Sequence, residues 1–247
     1  MEAFQLEIAV DPAHVVKRAI AWWRQGAQSA IADHGSFRVA LSGGTTPKAL
    51  YQALANTPDL DWAHTQIFWG DERYVPTDHP DSNFKMAKEA LLDHVPIPAD
   101  HIFPIPTAAR DPLRDADTYA QTLQGIFQSD WPSFDLMLLG IGDDGHTASL
   151  FPQTAALQVM DRWVTVGEKA GQPRITLTFP VLNHSQQVIF LVAGSSKAPI
   201  VQEVLTTPPH LPCQQVKPHG HLLWLIDAAA AQGIPIQAFG SLPLTTA

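Results

Sequence analysis

The chain has 247 residues, of which 45% are hydrophobic, and 15 Lys+Arg against 24 Asp+Glu leave a net charge of −9. That apolar share excludes an intrinsically disordered chain and is enough for a sizeable core. The negative balance argues against a nucleic-acid coat or an anionic membrane as partner, and a lone cysteine, Cys213, excludes a disulfide framework or a Cys-based metal cluster. The first residues, Met1 to Gln5, lack the basic and apolar regions of an export signal. No apolar run approaches the roughly 20 residues that a spanning helix needs. A cytoplasmic protein with no membrane or nucleic-acid partner is expected, as a monomer or weak homodimer.

In chain order, Pro12 to His34 reads as a helix, with Val15, Val16, Ala19, Ile20 and Trp23 forming an apolar stripe at helical spacing. Phe37 to Leu41 is a short strand ending in Ser42-Gly43-Gly44-Thr45-Thr46-Pro47, and a helix starts near Pro47. Gln66 to Trp69 is the next strand and closes on Gly70-Asp71-Glu72-Arg73. Helices follow over Asn83 to Leu92 and from about Pro112 to Gln128. Phe134 to Gly140 is almost continuously apolar, which suits a parallel strand covered on both faces. Further strands are predicted at Trp163 to Val166, Arg174 to Thr178, Val188 to Val192 and Leu222 to Ile226, with helices over Ser196 to Leu205 and around Ala228 to Ala231. This alternation predicts one α/β domain over residues 1–247, a doubly wound, mostly parallel sheet with helices on both faces. Ligands of such sheets bind beyond the carboxyl ends of the strands, where the polar loops lie.

Four of those loops carry candidate chemistry. In Ser42-Gly43-Gly44-Thr45 the glycines let the backbone approach a ligand, the next helix presents free N–H groups, and the hydroxyls add donors. The pattern suits phosphate, and it equally suits a plain capped turn. Gly140-Ile141-Gly142-Asp143-Asp144-Gly145-His146 delivers carboxylates and an imidazole from a buried strand. His146 is then a candidate general base, and an Asp such as Asp144 can orient it; an Asp-Gly turn with an exposed His is the structural alternative. No spacing here is diagnostic of a metal site. Asp71 is a candidate second acid/base or hydroxyl acceptor, and Arg73 a candidate phosphate ligand, against a solvated charge cluster. Lys197 falls in the first turn of its helix, where a cation is unfavourable unless an anion is near. Arg174 opens a strand and is a further candidate phosphate ligand. The Trp22-Trp23 pair reads as packing, His219 and His221 as solvated loop residues, and Cys213 as no nucleophile.

Taken together and in order, these stretches resemble the 6-phosphogluconolactonase family. The resemblance spans nearly the whole chain. It rests on Leu41 to Pro47, Trp69 to Pro76 with Asp81-Ser82-Asn83, Leu139 to Pro152, Arg174-Ile175-Thr176-Leu177-Thr178 and Lys197-Ala198. It implies a Rossmann-like domain, no cofactor, and hydrolysis of 6-phospho-D-glucono-1,5-lactone to 6-phosphogluconate in the oxidative pentose phosphate pathway. It also implies His146 as the base, with phosphate held by Ser42 to Thr45, Arg73, Lys197 and Arg174. The related glucosamine-6-phosphate deaminases share the Ser-Gly-Gly-Thr loop and the Asp-Gly-His motif, but continue Ile-Ala-Phe-Asn-Glu-Pro. Here the stretch reads Thr147-Ala148-Ser149-Leu150-Phe151-Pro152, so Phe151 stands at the position of their Glu. A non-catalytic sugar-phosphate sensor is the third reading; it calls for a basic helix-turn-helix, which the sequence does not display.

Overall fold

A computed structural model describes residues 4–235. Its centre is a parallel sheet of six strands in the order β1-β9-β8-β5-β2-β3. These strands are β1 (Gln5–Ala9), β2 (Phe37–Leu41), β3 (Thr65–Trp69), β5 (Leu136–Leu139), β8 (Gln187–Val192) and β9 (His221–Asp227). A second sheet is antiparallel, in the order β4 (Asp71–Arg73), β7 (Gln172–Leu177), β6 (Val164–Lys169). The helices around them are α1 (Pro12–His34), α2 (Thr45–Ala55), α3 (Asn83–Ala90), α4 (Pro112–Phe127), α5 (Phe179–His184) and α6 (Ala198–Thr206).

Local chemistry explains where these elements begin and end. Asp11 caps α1 by accepting from the His14 N–H, Pro12 fits the first turn, and Gly35 ends the helix at φ 80. Val15, Ala19, Trp23, Ala27 and Ala30 form its buried stripe. Trp23 lies edge-on to Phe37, with ring centroids 5.3 Å apart. Burying an aromatic or aliphatic side chain of that kind contributes roughly 1.5–3 kcal/mol. All four residues of β5 are buried, as befits a central parallel strand.

The structure corrects several expectations. β1 was not foreseen, because Glu7 interrupts its apolar run. Glu7 is buried, and Arg18 (2.9 and 3.1 Å) and Trp22 (3.2 Å) donate to its carboxylate. Gly70-Asp71-Glu72-Arg73 does not end the strand in a solvated cluster; Gly70 is a joint between the two sheets. Its N–H donates to Leu41 O (2.9 Å) and its C=O accepts from the Leu177 N–H (2.9 Å). The strands predicted at Trp163 to Val166 and Arg174 to Thr178 pair in a separate antiparallel sheet, and β4 and α5 are additions to the predicted pattern. Residues 228–231 form turns rather than a helix, the Ala230 N–H being taken by the Asp227 carboxylate at 2.8 Å.

Candidate active site

Chain order reverses between β2 and its neighbour β5: β3 lies beyond β2, while β8 and β9 lie beyond β5. Such a reversal opens a crevice at the carboxyl ends of the two strands. The Ser42–Gly44 loop leaves β2 there and enters α2, with Gly44 at φ 110. Tyr51, one turn into α2, donates its hydroxyl to Ser42 O (2.8 Å) and accepts from the Ser42 N–H (2.9 Å). Gly43 must lack a side chain, since a Cβ would fall 2.1 Å from Asn83 Oδ1. The leading N–H groups of α2 have no intrahelical partner, and Ser42 Oγ is buried without a hydrogen-bond partner.

The loop after β5 is drawn tight around His146. Gly142 N–H donates to His146 O (2.9 Å), Gly145 N–H to Gly142 O (3.0 Å), and Thr147 Oγ1 to Gly140 O (2.9 Å). The imidazole lies directly over Gly142, where a Cβ would sit 1.9 Å from Nδ1. Asp144 Oδ1 accepts from the His146 backbone N–H (3.1 Å) and meets Nδ1 at 2.5 Å. The Phe151 ring packs against the imidazole, with centroids 4.4 Å apart. Burial pushes the His146 pKa below its ordinary value. Asp144 and, more weakly, Asp71 oppose this, while the Lys169 charge adds to it. Burial resists ionisation of Asp144, but hydrogen bonds from His146 outweigh it and hold the carboxyl below its usual range. An ionised Asp144 can accept a hydrogen bond from an Nδ1–H, which leaves a lone pair on Nε2.

The antiparallel sheet supplies cations. Arg73 on β4 and Arg174 on β7 are direct cross-strand partners. Like charges placed so are destabilising. Burial first, and Arg73 second, depress the Arg174 guanidinium pKa. Both Nε groups are buried without a hydrogen-bond partner; Arg73 Nη1 donates to Asp81 O at 2.7 Å. Two paired cations with orphaned donors favour an anionic guest. Lys197 lies in a single 3₁₀ turn, Ser195–Lys197, just before α6, and its ammonium donates to Asp143 Oδ1 at 2.5 Å. The anion that its position called for is thus a side chain of the neighbouring loop.

Asp71 and Glu72 have different surroundings from those expected. Asp71 is buried, accepts from Ser149 Oγ (2.6 Å), and receives Asn83 Nδ2 on its own carbonyl (2.9 Å). It makes no hydrogen bond to His146. Glu72 is buried as the anchor of α3, accepting from the N–H groups of Asn83 (2.7 Å) and Phe84 (2.8 Å) and from Ser82 Oγ (3.1 Å). Sequence reasoning missed Lys169, at the end of β6, whose ammonium lies 5.4 Å from the Phe151 ring centroid. It also missed the Lys197 partner Asp143. Away from the site, His221 bonds Gln5 Oε1 (2.9 Å) and stacks on Trp22. His219 packs on His184, and burial pushes the Cys213 thiol up to about 12. Among the described residues no three His, Cys, Asp or Glu side chains group as metal ligands, and no helix is long and apolar enough to cross a membrane.

Residues 10–224 match the model of the family described as glucosamine-6-phosphate isomerases/6-phosphogluconolactonase. A 6-phosphogluconolactonase of Synechocystis sp. is 48% identical over 93% of this chain and 98% of its own length. One from Nostoc sp. is 46% identical over 94% and 98%. The crystal structure of 6-phosphogluconolactonase from Thermotoga maritima superposes with a TM-score of 0.81 at 30% identity, over 91% of this chain and all of that one (100%). The chain belongs to the glucosamine-6-phosphate isomerase/6-phosphogluconolactonase family.

Proposed function

We propose that this chain hydrolyses 6-phosphogluconolactone to 6-phosphogluconate, with His146 as general base and Asp144 as its orienting partner. The observation that carries this reading is the Asp144–His146 pair, in which the hydrogen bond to Nδ1 leaves Nε2 as the basic atom. The sugar phosphate is anchored by the Ser42–Thr45 loop, Arg73, Arg174 and Lys197, the last exchanging Asp143 for phosphate. Anchoring one end of the substrate turns a loose encounter at the carbonyl into an oriented one.

Nε2 takes a proton from water as its oxygen attacks C1, forming a tetrahedral oxyanion. As the oxyanion collapses, the bond from C1 to the ring oxygen breaks and the imidazolium returns its proton to that oxygen. The new carboxylic acid then ionises to solvent. The chemistry needs proton transfer and charge stabilisation only, since a lactone is already activated. Asp71 acts at one remove, tying Ser149, and with it the segment that carries Phe151, to β4. Phe151 has no proton to give, which supports lactone hydrolysis over a ring-opening deamination.

The test is His146→Asn assayed on freshly generated lactone, with folding followed by circular dichroism. We expect kcat/KM to fall about 10²–10⁴-fold, as for loss of a general base. Activity within a few-fold of wild type with an intact fold overturns the assignment.

A further inference from the structure

Phe151 is buried in the loop that follows His146 and meets three functional groups at once. The imidazole is 4.4 Å from its ring centroid, the Lys169 ammonium 5.4 Å and the Arg174 guanidinium carbon 5.7 Å. Lys169 and Arg174 come from neighbouring strands of the small sheet, β6 and β7. Neither takes part in an ion pair with an acidic side chain among the described residues, although Lys197 nearby does. An aromatic face holds a cation through its quadrupole without neutralising it, unlike a carboxylate.

We propose that Phe151 is a positioning residue, whose ring seats the His146 imidazole while holding Lys169 and Arg174 beside it, outside any ion pair, as cations for an anionic substrate and transition state. The proposal rests on the reading of His146 as base, and adds Lys169 to the site as a cation that shapes the base's titration. The charged groups acting on the imidazole are Asp144, Lys169 and Asp71. Asp144 and Asp71 favour its protonated form; burial and Lys169 favour the neutral one. Phe151 serves both of the latter, excluding water from one side of the imidazole and keeping Lys169 close.

The experiment follows the His146 ring by NMR through a pH titration of the free, full-length protein, alongside the pH profile of kcat/KM. The variants are Phe151→Leu, Phe151→Tyr and Lys169→Met. Leu keeps apolar volume but has no ring face; Tyr keeps the ring; Met keeps the Lys169 stem without its charge. In Lys169→Met the His146 midpoint is expected to rise by roughly half a pH unit, the size of one solvent-screened charge nearby. Phe151→Leu should raise it at least as much, and Phe151→Tyr should restore the wild-type value. If the midpoint in both Phe151→Leu and Lys169→Met equals wild type, or if Tyr fails to rescue a folded Leu variant's shift, the proposal is overturned. The kinetic profile separates the two claims. Midpoints that move while the acidic limb of kcat/KM stays fixed show that the ring and Lys169 tune the imidazole but refute His146 as the base, and with it the positioning role in the reaction.

Discussion

The parallel sheet offers its loops to the site, whereas the antiparallel sheet offers its strands. Ser42, His146 and Lys197 follow the carboxyl ends of β2, β5 and β8, but Arg73, Lys169 and Arg174 lie within β4, β6 and β7. The difference follows from burial. β5 is covered along its whole length, so none of its own side chains can face a ligand. β6 ends on exposed Glu168 and Lys169, and β7 begins with Gln172 to Arg174 exposed or half-buried before its buried end, leaving side chains free to reach outward. On the proposed reading, proton chemistry is placed by glycine-shaped backbone, and charge by cross-strand register.

That division can be broken by substitutions on either side. The largest effect is expected from Gly142→Ala. A methyl group there overlaps the imidazole and Asp144 Oδ1 and must displace them, and kcat/KM of a folded variant should fall roughly 10²-fold or more, the penalty of misplacing a reacting group by an ångström. A Gly142→Ala enzyme of near-normal activity would show that the loop backbone does not set the base. Asp144→Asn should lower kcat/KM about tenfold to a hundredfold. The sign of its pH effect is fixed: Asp144 favours protonated His146, so removing the charge should move the acidic limb of the profile to lower pH. A limb that moves upward contradicts the pairing.

On the other sheet, Arg73→Ala and Arg174→Ala should each raise KM about tenfold, in line with loss of charge-assisted hydrogen bonds, and change kcat less. An unphosphorylated gluconolactone is the control, and equal losses on both substrates remove the phosphate assignment. The smallest effect belongs to Asp143→Asn. Lys197 then has no competing carboxylate, and KM should fall about two- to threefold, as expected for an exposed pair; a rise in KM would mean that Asp143 helps to hold the ligand.

Much of this was legible in the amino-acid order. The apolar run before Gly140 marked a central parallel strand, and Gly pairs, hydroxyls and the Asp-Gly-His stretch marked what its own loop and its neighbours' loops carry. Those are local signals, one per segment. Arg73 and Arg174 stood out singly, but their pairing across β4 and β7 depends on residues a hundred positions apart coming into register, and no local pattern encodes that. Lys169 was invisible for the same reason, since only its distance to Phe151 distinguishes it from a surface lysine. Glu72 was assigned no role, because a charge in a polar stretch carries no sign of burial, whereas its carboxylate is buried against the start of α3. The Asp71–Ser149 bond joins two motifs each recognised separately.

Tyr51 has a counterpart on the adjacent strand. Tyr119 in α4 donates its hydroxyl to Trp69 O (3.0 Å) and accepts from the Trp69 N–H (3.1 Å), as Tyr51 does at Ser42. Each phenol takes the place of a missing ladder partner at a strand terminus. Only an un-ionised phenol can donate and accept together, and burial raises both pKa values, which favours that form. The rim of the crevice is thereby preorganised: its backbone entropy is lost when the chain folds, not when a ligand arrives.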